Sequence, residues 1–306
     1  MTASLLTEDE RHHWDTFGYL HFRNVLAPNE THQLHRSLTA VHTRSTDTAD
    51  RHQHWEDLFD AGNDRDLSIA NAVSHCDEIG SLLDHPGVFG KILGLMGPYV
   101  QVLGSEAFFR YPYSEPLVDF HTDQGPSLRQ AAPAAGKEIQ LKIQFFLTDL
   151  TQPDHGNFTV APGSHRADFP GKVAYTQVND PVQILANAGD AVIFPLSLGH
   201  GVARNHCPAT RVSVVLRYGQ IFCRPVDYWK MPAEVLNRLS PRQRRLLGDL
   251  GARQRPGDVY GQIPDQLKLI YGQEWLATRD AQLDLHAGHH DQAAYEDLSR
   301  GASQHA

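Results

Sequence analysis

The chain has 306 residues, 41% of them hydrophobic and 21% charged, with a mean hydropathy of −0.42, the composition of a soluble globular protein long enough for a sizeable core. No apolar run approaches the roughly 18 residues a membrane helix needs, and the opening MTASLLTEDERHHWDTFGY lacks the basic end and apolar stretch of a secretory signal. A formal charge of −9 argues against a nucleic-acid surface, and the three cysteines, Cys76, Cys207 and Cys223, are too few and too scattered for a disulfide framework or zinc ribbon, so a cytoplasmic location is expected.

The N-terminal third reads as helical. Thr7 and Glu10 form a capping box ahead of RHHWDTFGYL. Pro28 can occupy the first turn of APNETHQLHRSLTAVH, with Leu34, Leu38 and Val41 along one face. HPGVFGKILGLMG has a similar period and stops at Gly97-Pro98. From about residue 99 to 223 the pattern changes to β-rich runs: YVQVLGSEAFFRYP, EIQLKIQFFLTDL, NFTVAP, VQILANAGDAVIFP and RVSVVLRYGQIFC, broken by Gly, Pro, Asn and Asp. Few helix-length segments separate them, so a mainly antiparallel sheet pair or barrel is expected. After Pro225 the reading is helical again to about 277, and 278–306 is a polar tail. One domain over 1–306 is expected: helices over about 1–98, a β core over about 99–223, helices over about 224–277, then the tail.

Four His-x-Asp pairs occur: His13/Asp15, His75/Asp77, His121/Asp123 and His289/Asp291. On a helix, residues i and i+2 diverge and cannot share an ion; on an extended strand they project to one face. The first two pairs lie in helical stretches, and the last sits in the polar tail. His121/Asp123 alone follows an extended apolar approach, LVDF, inside the β region. A third ligand is supplied by GDAVIFPLSLGHGVARN, where a buried strand is followed by a loop that delivers His200. Two histidines and one carboxylate with open positions make the facial triad of non-haem Fe(II) oxygenases. Beyond His200, Arg211 and Ser213 share one face of TRVSVVLRYG. A guanidinium grips a carboxylate through two parallel hydrogen bonds, and the far carboxylate of 2-oxoglutarate is such a target.

With these pieces the sequence resembles the phytanoyl-CoA dioxygenase family of Fe(II)/2-oxoglutarate-dependent oxygenases. The resemblance is carried by His121-x-Asp123, FFLTDLTQPDHGNFTVAPGSH, GDAVIF, His200 and Arg211, with EDERHHWDTFGYLHFRNVLAPNE like the family's opening helix and strand and RPVDYWKMPAEVLNRLSPRQRRLLG like the later part of bacterial members. It covers most of residues 7–250. It implies a mainly β fold with flanking helices: a double-stranded β-helix, or cupin-like jelly roll, with iron inside one open end. It further implies His121, Asp123 and His200 as iron ligands, Arg211 as the 2-oxoglutarate anchor with Ser213 beside it, and Gln144 and Thr159 as further co-substrate contacts. The cofactors implied are Fe(II), 2-oxoglutarate as co-substrate and O2. Halogenases of this kind replace the aspartate by a small residue, so Asp123 points away from halogenation.

The reaction expected is oxidation of an unactivated C–H bond of a small molecule, by hydroxylation, desaturation or ring closure, in natural-product biosynthesis. The acidic balance leans toward a polar or cationic substrate. No nucleic-acid or membrane partner is expected, and the chain would act as a monomer or homodimer. Phe108, Phe109 and Tyr111 are candidates to line the substrate cavity, with core packing expected for at least one. Gln124 and Arg129 follow the metal pair and can touch substrate or simply form a solvated loop. His165 is read as a structural loop histidine, His155 as a turn residue, Asp190 as a turn stabiliser and Asn205 as a tie for the His200 loop. Two other classes use the same residues: a metal-dependent hydrolase or isomerase, and a catalytically silent binding protein on the same barrel. The first leaves Arg211 without a task, and a complete triad together with Arg211 counts against the second.

Overall fold

The computed structural model describes residues 5–46, 58–60, 66–113, 118–125, 128–129, 138–166, 169, 172–249, 266–267 and 269–270. The first helix, α1 (Glu8–Phe17), begins with the expected capping box: Thr7 Oγ1 accepts from Glu10 N–H, and the Glu10 carboxylate accepts from Thr7 N–H. It ends at Gly18, whose φ of 83° lies in the left-handed region, and the chain turns into β1 (Leu20–Phe22). The second helix, α2 (Pro28–Thr46), buries Leu34, Leu38 and Val41 along one stripe. Then follow β2 (Leu58–Asp60), β3 (Asp66–Ile69), the short α3 (Ala72–His75), and α4 (Phe89–Met96). The N-terminal third is therefore not purely helical. Three short strands there, one of them the strand of the GY segment, were outside the reach of periodicity, which needs longer runs to register.

The β region supplies β4 (Val100–Arg110), β5 (Val118–His121), β6 (Gln140–Phe146), β7 (Phe158–Val160), β8 (Lys172–Val173), β9 (Val182–Gln183), β10 (Ala191–Pro195), β11 (His200–Val202) and β12 (Arg211–Gln220). Two short helices follow, α5 (Ala233–Leu236) and α6 (Pro241–Leu246), the latter capped by Ser240. The polar tail, and with it His289/Asp291, lies outside the described residues.

The strands form two antiparallel sheets, one in the order β1-β10-β6-β12-β4-β3-β2 and the other β8-β5-β11-β7-β9, a jelly-roll core. The larger sheet is covered by apolar residues on both faces, and strand alternation sorts them. Leu141, Ile143 and Phe145 of β6, Val212, Val214 and Leu216 of β12, and Ala107 and Phe109 of β4 join the helices in one core with Trp14, Leu34, Leu38 and Ile92. Phe146, Val192 and Phe194 turn to the other face, where they meet Phe158 and Val160 of the smaller sheet in a second core. The intervening positions Glu106, Phe108, Arg110, Lys142, Gln144 and Arg211 line a cavity between the sheets.

Candidate metal centre

Two neighbouring strands of the smaller sheet bring the donor atoms together. His121 on β5 and His200 on β11 are register partners across an antiparallel pair, with ring centroids 4.4 Å apart. Each Nδ1 donates to a main-chain carbonyl two residues back: His121 to Asp119 O at 3.0 Å and His200 to Leu198 O at 2.9 Å. A carbonyl can only accept, so each ring is held in the tautomer that leaves Nε2 as a lone-pair donor. This arrangement is typical of ligating histidines. Asp123 lies just past the end of β5, pinned by its own N–H to Leu196 O at 2.9 Å. Its Oδ1 stands 3.7 Å from His121 Nε2 and its Oδ2 3.4 Å from His200 Nε2. One ligand atom from each of the three residues falls within 4.8 Å of the others, a grouping wide enough for one ion.

The electrostatics suit a cation. Burial alone would raise the Asp123 pKa, but Lys142 and His200 outweigh it and hold the carboxyl well below its usual range. Burial pushes His200 down to about 4, so that ring is neutral at neutral pH. Burial also opposes charge on His121, yet hydrogen bonding to Asp123 and to the Asp119 carbonyl leaves its pKa raised. Asp123 Oδ2 is buried and lacks a well-aligned hydrogen-bond donor, although Lys142 Nζ is 3.1 Å away. An under-satisfied buried carboxylate between two imidazole lone pairs is a donor set that fits a divalent transition metal.

The cavity, of about 240 Å³, holds these three residues with Glu106, Phe108, Arg110, Lys142, Gln144, Phe158, Phe194, Val202, Arg211 and Val215. Arg211 is 3% exposed, and its Nε is buried with no hydrogen-bond partner. Burial, together with the charge of its register partner Arg110, brings its pKa down to about 9. A buried guanidinium of this kind calls for an anion. Gln144 lines the cavity beside Arg211, whereas Ser213, two residues on from Arg211, is fully buried behind the lining and accepts a hydrogen bond from Gln144 Nε2 at 3.1 Å.

Not every residue anticipated from sequence reaches the cavity. Phe109 and Tyr111 face the opposite side of β4: Phe109 lies in the helix-covered core, and Tyr111 Oη is 2.8 Å from His42 Nε2. The alternation that buries them is what turns Phe108 and Arg110 inward. Thr159 is likewise turned away, its hydroxyl bonded to Asn157 O and Tyr175 Oη, while its neighbour Phe158 lines the cavity. Arg129 is exposed and clasps the loop after Asp123, donating to Gln124 O at 3.2 Å and Thr122 Oγ1 at 2.8 Å; neither it nor Gln124 lines the cavity. His165 lies against Gly18, away from the cavity. Sequence reasoning passed over Lys142 and Glu106. The signal was present: Gln140, Lys142 and Gln144 alternate with Leu141, Ile143 and Phe145, which puts Lys142 on the same strand face as Gln144.

Comparisons with known proteins agree with this architecture. The family model described as phytanoyl-CoA dioxygenase matches residues 14–213. A curated relative, the dioxygenase cdmD of Talaromyces verruculosus, is 26% identical over 106 residues; the match spans 34% of this chain and about a third (34%) of that protein's length. HygX from Streptomyces hygroscopicus, solved with nickel, 2-oxoglutarate and hygromycin B bound, superposes with a TM-score of 0.58 at 16% identity, over 75% of this chain and 94% of that one. SnoK, a non-heme alpha-ketoglutarate-dependent carbocyclase from nogalamycin biosynthesis, gives 0.57 at 23% identity, over 79% and 94%. EctD from S. alaskensis, with 2-oxoglutarate and 5-hydroxyectoine, gives 0.58 at 16%, over 71% and 77%. At these identities the structural likenesses speak for the fold.

Proposed function

The chain belongs to the phytanoyl-CoA dioxygenase family and is accordingly a 2-oxoglutarate-dependent dioxygenase; on that premise we propose that it oxidises an unactivated C–H bond of a small polar molecule, with His121, Asp123 and His200 holding one Fe(II). The observation that carries this reading is the sharing of one cavity by a His–Asp–His donor set and a buried arginine, Arg211, whose Nε has no partner.

Bound Fe(II) supplies dioxygen activation coupled to the decarboxylation of 2-oxoglutarate to succinate and carbon dioxide. The chain's own residues position and exclude. Arg211 forks around the distal carboxylate of 2-oxoglutarate, and Ser213 and Gln144 offer hydrogen bonds at the same end. Phe108, Phe158 and Phe194 make the cavity wall apolar and keep water from the reacting carbon. Glu106, the more exposed of the cavity's carboxylates at 35% against 15% for Asp123, is the group available to a cationic substituent of the substrate. The bound molecules of HygX and EctD support a small polar substrate. Hydroxylation is the outcome when the substrate carbon faces the metal directly. Ring closure or desaturation follows when a second reactive group lies beside it, as the carbocyclase SnoK illustrates for its own substrate. We place the reaction in natural-product tailoring.

The test is an anaerobic titration of metal-free protein with Fe(II) and 2-oxoglutarate, following the visible charge-transfer band of the chelate. The band is expected in wild type, absent in His200→Ala, and formed only at much higher 2-oxoglutarate in Arg211→Ala. Tight Zn(II) binding with no band in wild type would favour a hydrolase instead.

A further inference from the structure

Lys142 is a charged cavity residue that this reading leaves without a task. It sits at the middle of the larger sheet on β6, opposite Phe194 of β10 and Arg217 of β12. Its side chain is 13% exposed, and its Nζ lies 3.1 Å from Asp123 Oδ2 and 3.8 Å from Glu106 Oε2. Taking an ammonium out of water is costly, and an apolar side chain of the same volume packs a core at least as well. The position is also next to a site that must take up a dication, where an additional positive charge opposes binding. A lysine here works against both stability and metal affinity, so its placement points to what it does to the one metal-ligating carboxylate it touches.

We infer that Lys142 is a positioning residue for Asp123: its ammonium, ion-paired at 3.1 Å from Oδ2, restrains the carboxylate so that it offers the metal one oxygen and not both. A carboxylate free to swing can bind a metal through both oxygens and occupy two positions in place of one. A facial triad works only if three positions remain open, two for the chelating co-substrate and one for dioxygen. The two histidines cannot drift, because their Nδ1 atoms are tied to the Asp119 and Leu198 carbonyls. Apart from the two imidazoles it would share the metal with, the Asp123 carboxylate has Lys142 beside it, and the residue's main chain is tied to Leu196. Arg217 does not duplicate this contact, since its Nε is engaged by Gln140 Oε1 at 2.8 Å. The inference rests on the metal reading above and adds to it a constraint on the carboxylate.

The experiment uses full-length metal-free protein loaded with Mn(II), whose water-proton relaxivity reports the number of waters on the bound ion. Wild type, Lys142→Met, Lys142→Arg and His200→Ala are compared, each with its Mn(II) affinity and its 2-oxoglutarate affinity. In Lys142→Met the inner-sphere relaxivity per bound ion should fall by about a third, as three open positions become two. Mn(II) should bind at least as tightly, and 2-oxoglutarate about tenfold or more weakly. Lys142→Arg, which keeps a cation within reach of Oδ2, should restore the wild-type relaxivity. If Lys142→Met does not fold, Lys142→Gln, whose shorter uncharged side chain stops short of Oδ2, should give the same loss. Unchanged relaxivity and 2-oxoglutarate affinity in the folded Met or Gln variant overturns the inference and leaves the metal reading intact. Equal Mn(II) binding by wild type and His200→Ala removes the metal site itself, and the inference with it.

Discussion

In the role proposed for it, Arg211 serves a ligand at the expense of the fold. Its guanidinium is buried between the sheets, its Nε lacks a partner, and burial together with Arg110 has already lowered its pKa to about 9. An uncompensated buried charge destabilises the protein that carries it. Arg211→Met is therefore expected to raise the stability of the ligand-free protein by about 1–3 kcal/mol, read as a higher urea midpoint. The same change should weaken 2-oxoglutarate by about 3 kcal/mol, on the order of 100-fold, measured by calorimetry on metal-loaded protein. Arg211→Lys should recover only part of that affinity, because a point charge replaces a planar fork. A destabilised Arg211→Met with unchanged 2-oxoglutarate affinity would make Arg211 a structural cation. Its candidacy was readable from sequence, since Arg211 and Ser213 alternate with Val212 and Val214. That Arg110 would enter the same cavity depended on the register of β4 against β12.

At the scale of elements, two polar side chains hold the site's framework. Asn205 is fully buried and donates to the carbonyls of Arg110, Tyr111 and Ala209, so it ties the loop between β11 and β12 to the end of β4. Asn205→Ala leaves those carbonyls short of a donor and should cost about 2–3 kcal/mol. It should also loosen His200 and Arg211 together, seen as weaker Mn(II) and 2-oxoglutarate binding in parallel titrations. Asp190 does the same for β1. Its carboxylate accepts from the main-chain N–H of Asn24 and Asn187 and pairs with Arg23 at 2.8 Å. Beside it Gly189, at φ 98°, is packed so closely that an added Cβ would meet Leu26 O at 2.8 Å. Burial alone would raise the Asp190 pKa, but those main-chain donors and Arg23 hold it below the usual value. A carboxylate depressed in the folded state contributes stability that is present above its unfolded pKa of about 3.9 and is lost as pH falls through the folded value. Asp190→Asn should therefore cost about 2 kcal/mol at pH 7, with the gap to wild type closing in urea melts below about pH 4. A gap that stayed constant with pH would remove the charge from this account.

At the scale of the molecule, the helices cover one face of the larger sheet and the smaller sheet covers part of the other, and the cavity with the His–Asp–His group is what remains between the sheets. We propose that residues 1–306 form one domain on this framework. A single cooperative thermal transition is then expected, shifted upward by metal and further upward when 2-oxoglutarate is added to the metal-loaded protein, the second step by about 2.7 kcal/mol at a co-substrate concentration of 100 Kd. Two separate transitions, one insensitive to the ligands, would divide the chain. Among the described residues no helix is long and apolar enough to cross a membrane.

The sequence by itself determined which local structure each stretch could adopt, because helix caps, Gly-Pro stops and alternation act over a few residues. Thr7 with Glu10, Gly97-Pro98, and the strand that makes His121 and Asp123 capable of sharing an ion all follow from such short-range rules. It also carried the ligand candidates, since the donor chemistry belongs to the residue types. Which side of a strand faces the cavity was decided by the tertiary structure. Phe109, Tyr111 and Thr159 turned away and Glu106 turned in, because strands with apolar residues on both faces show no polar side to read from their own pattern. In β6 the alternation of Gln140, Lys142 and Gln144 marked one face, and the tertiary structure made it the cavity face. The pairing of His121 with His200, and of Lys142 with Asp123, joins residues far apart in the chain. The first exists only once β5 and β11 have paired within the smaller sheet, and the second only once the two sheets have closed on each other.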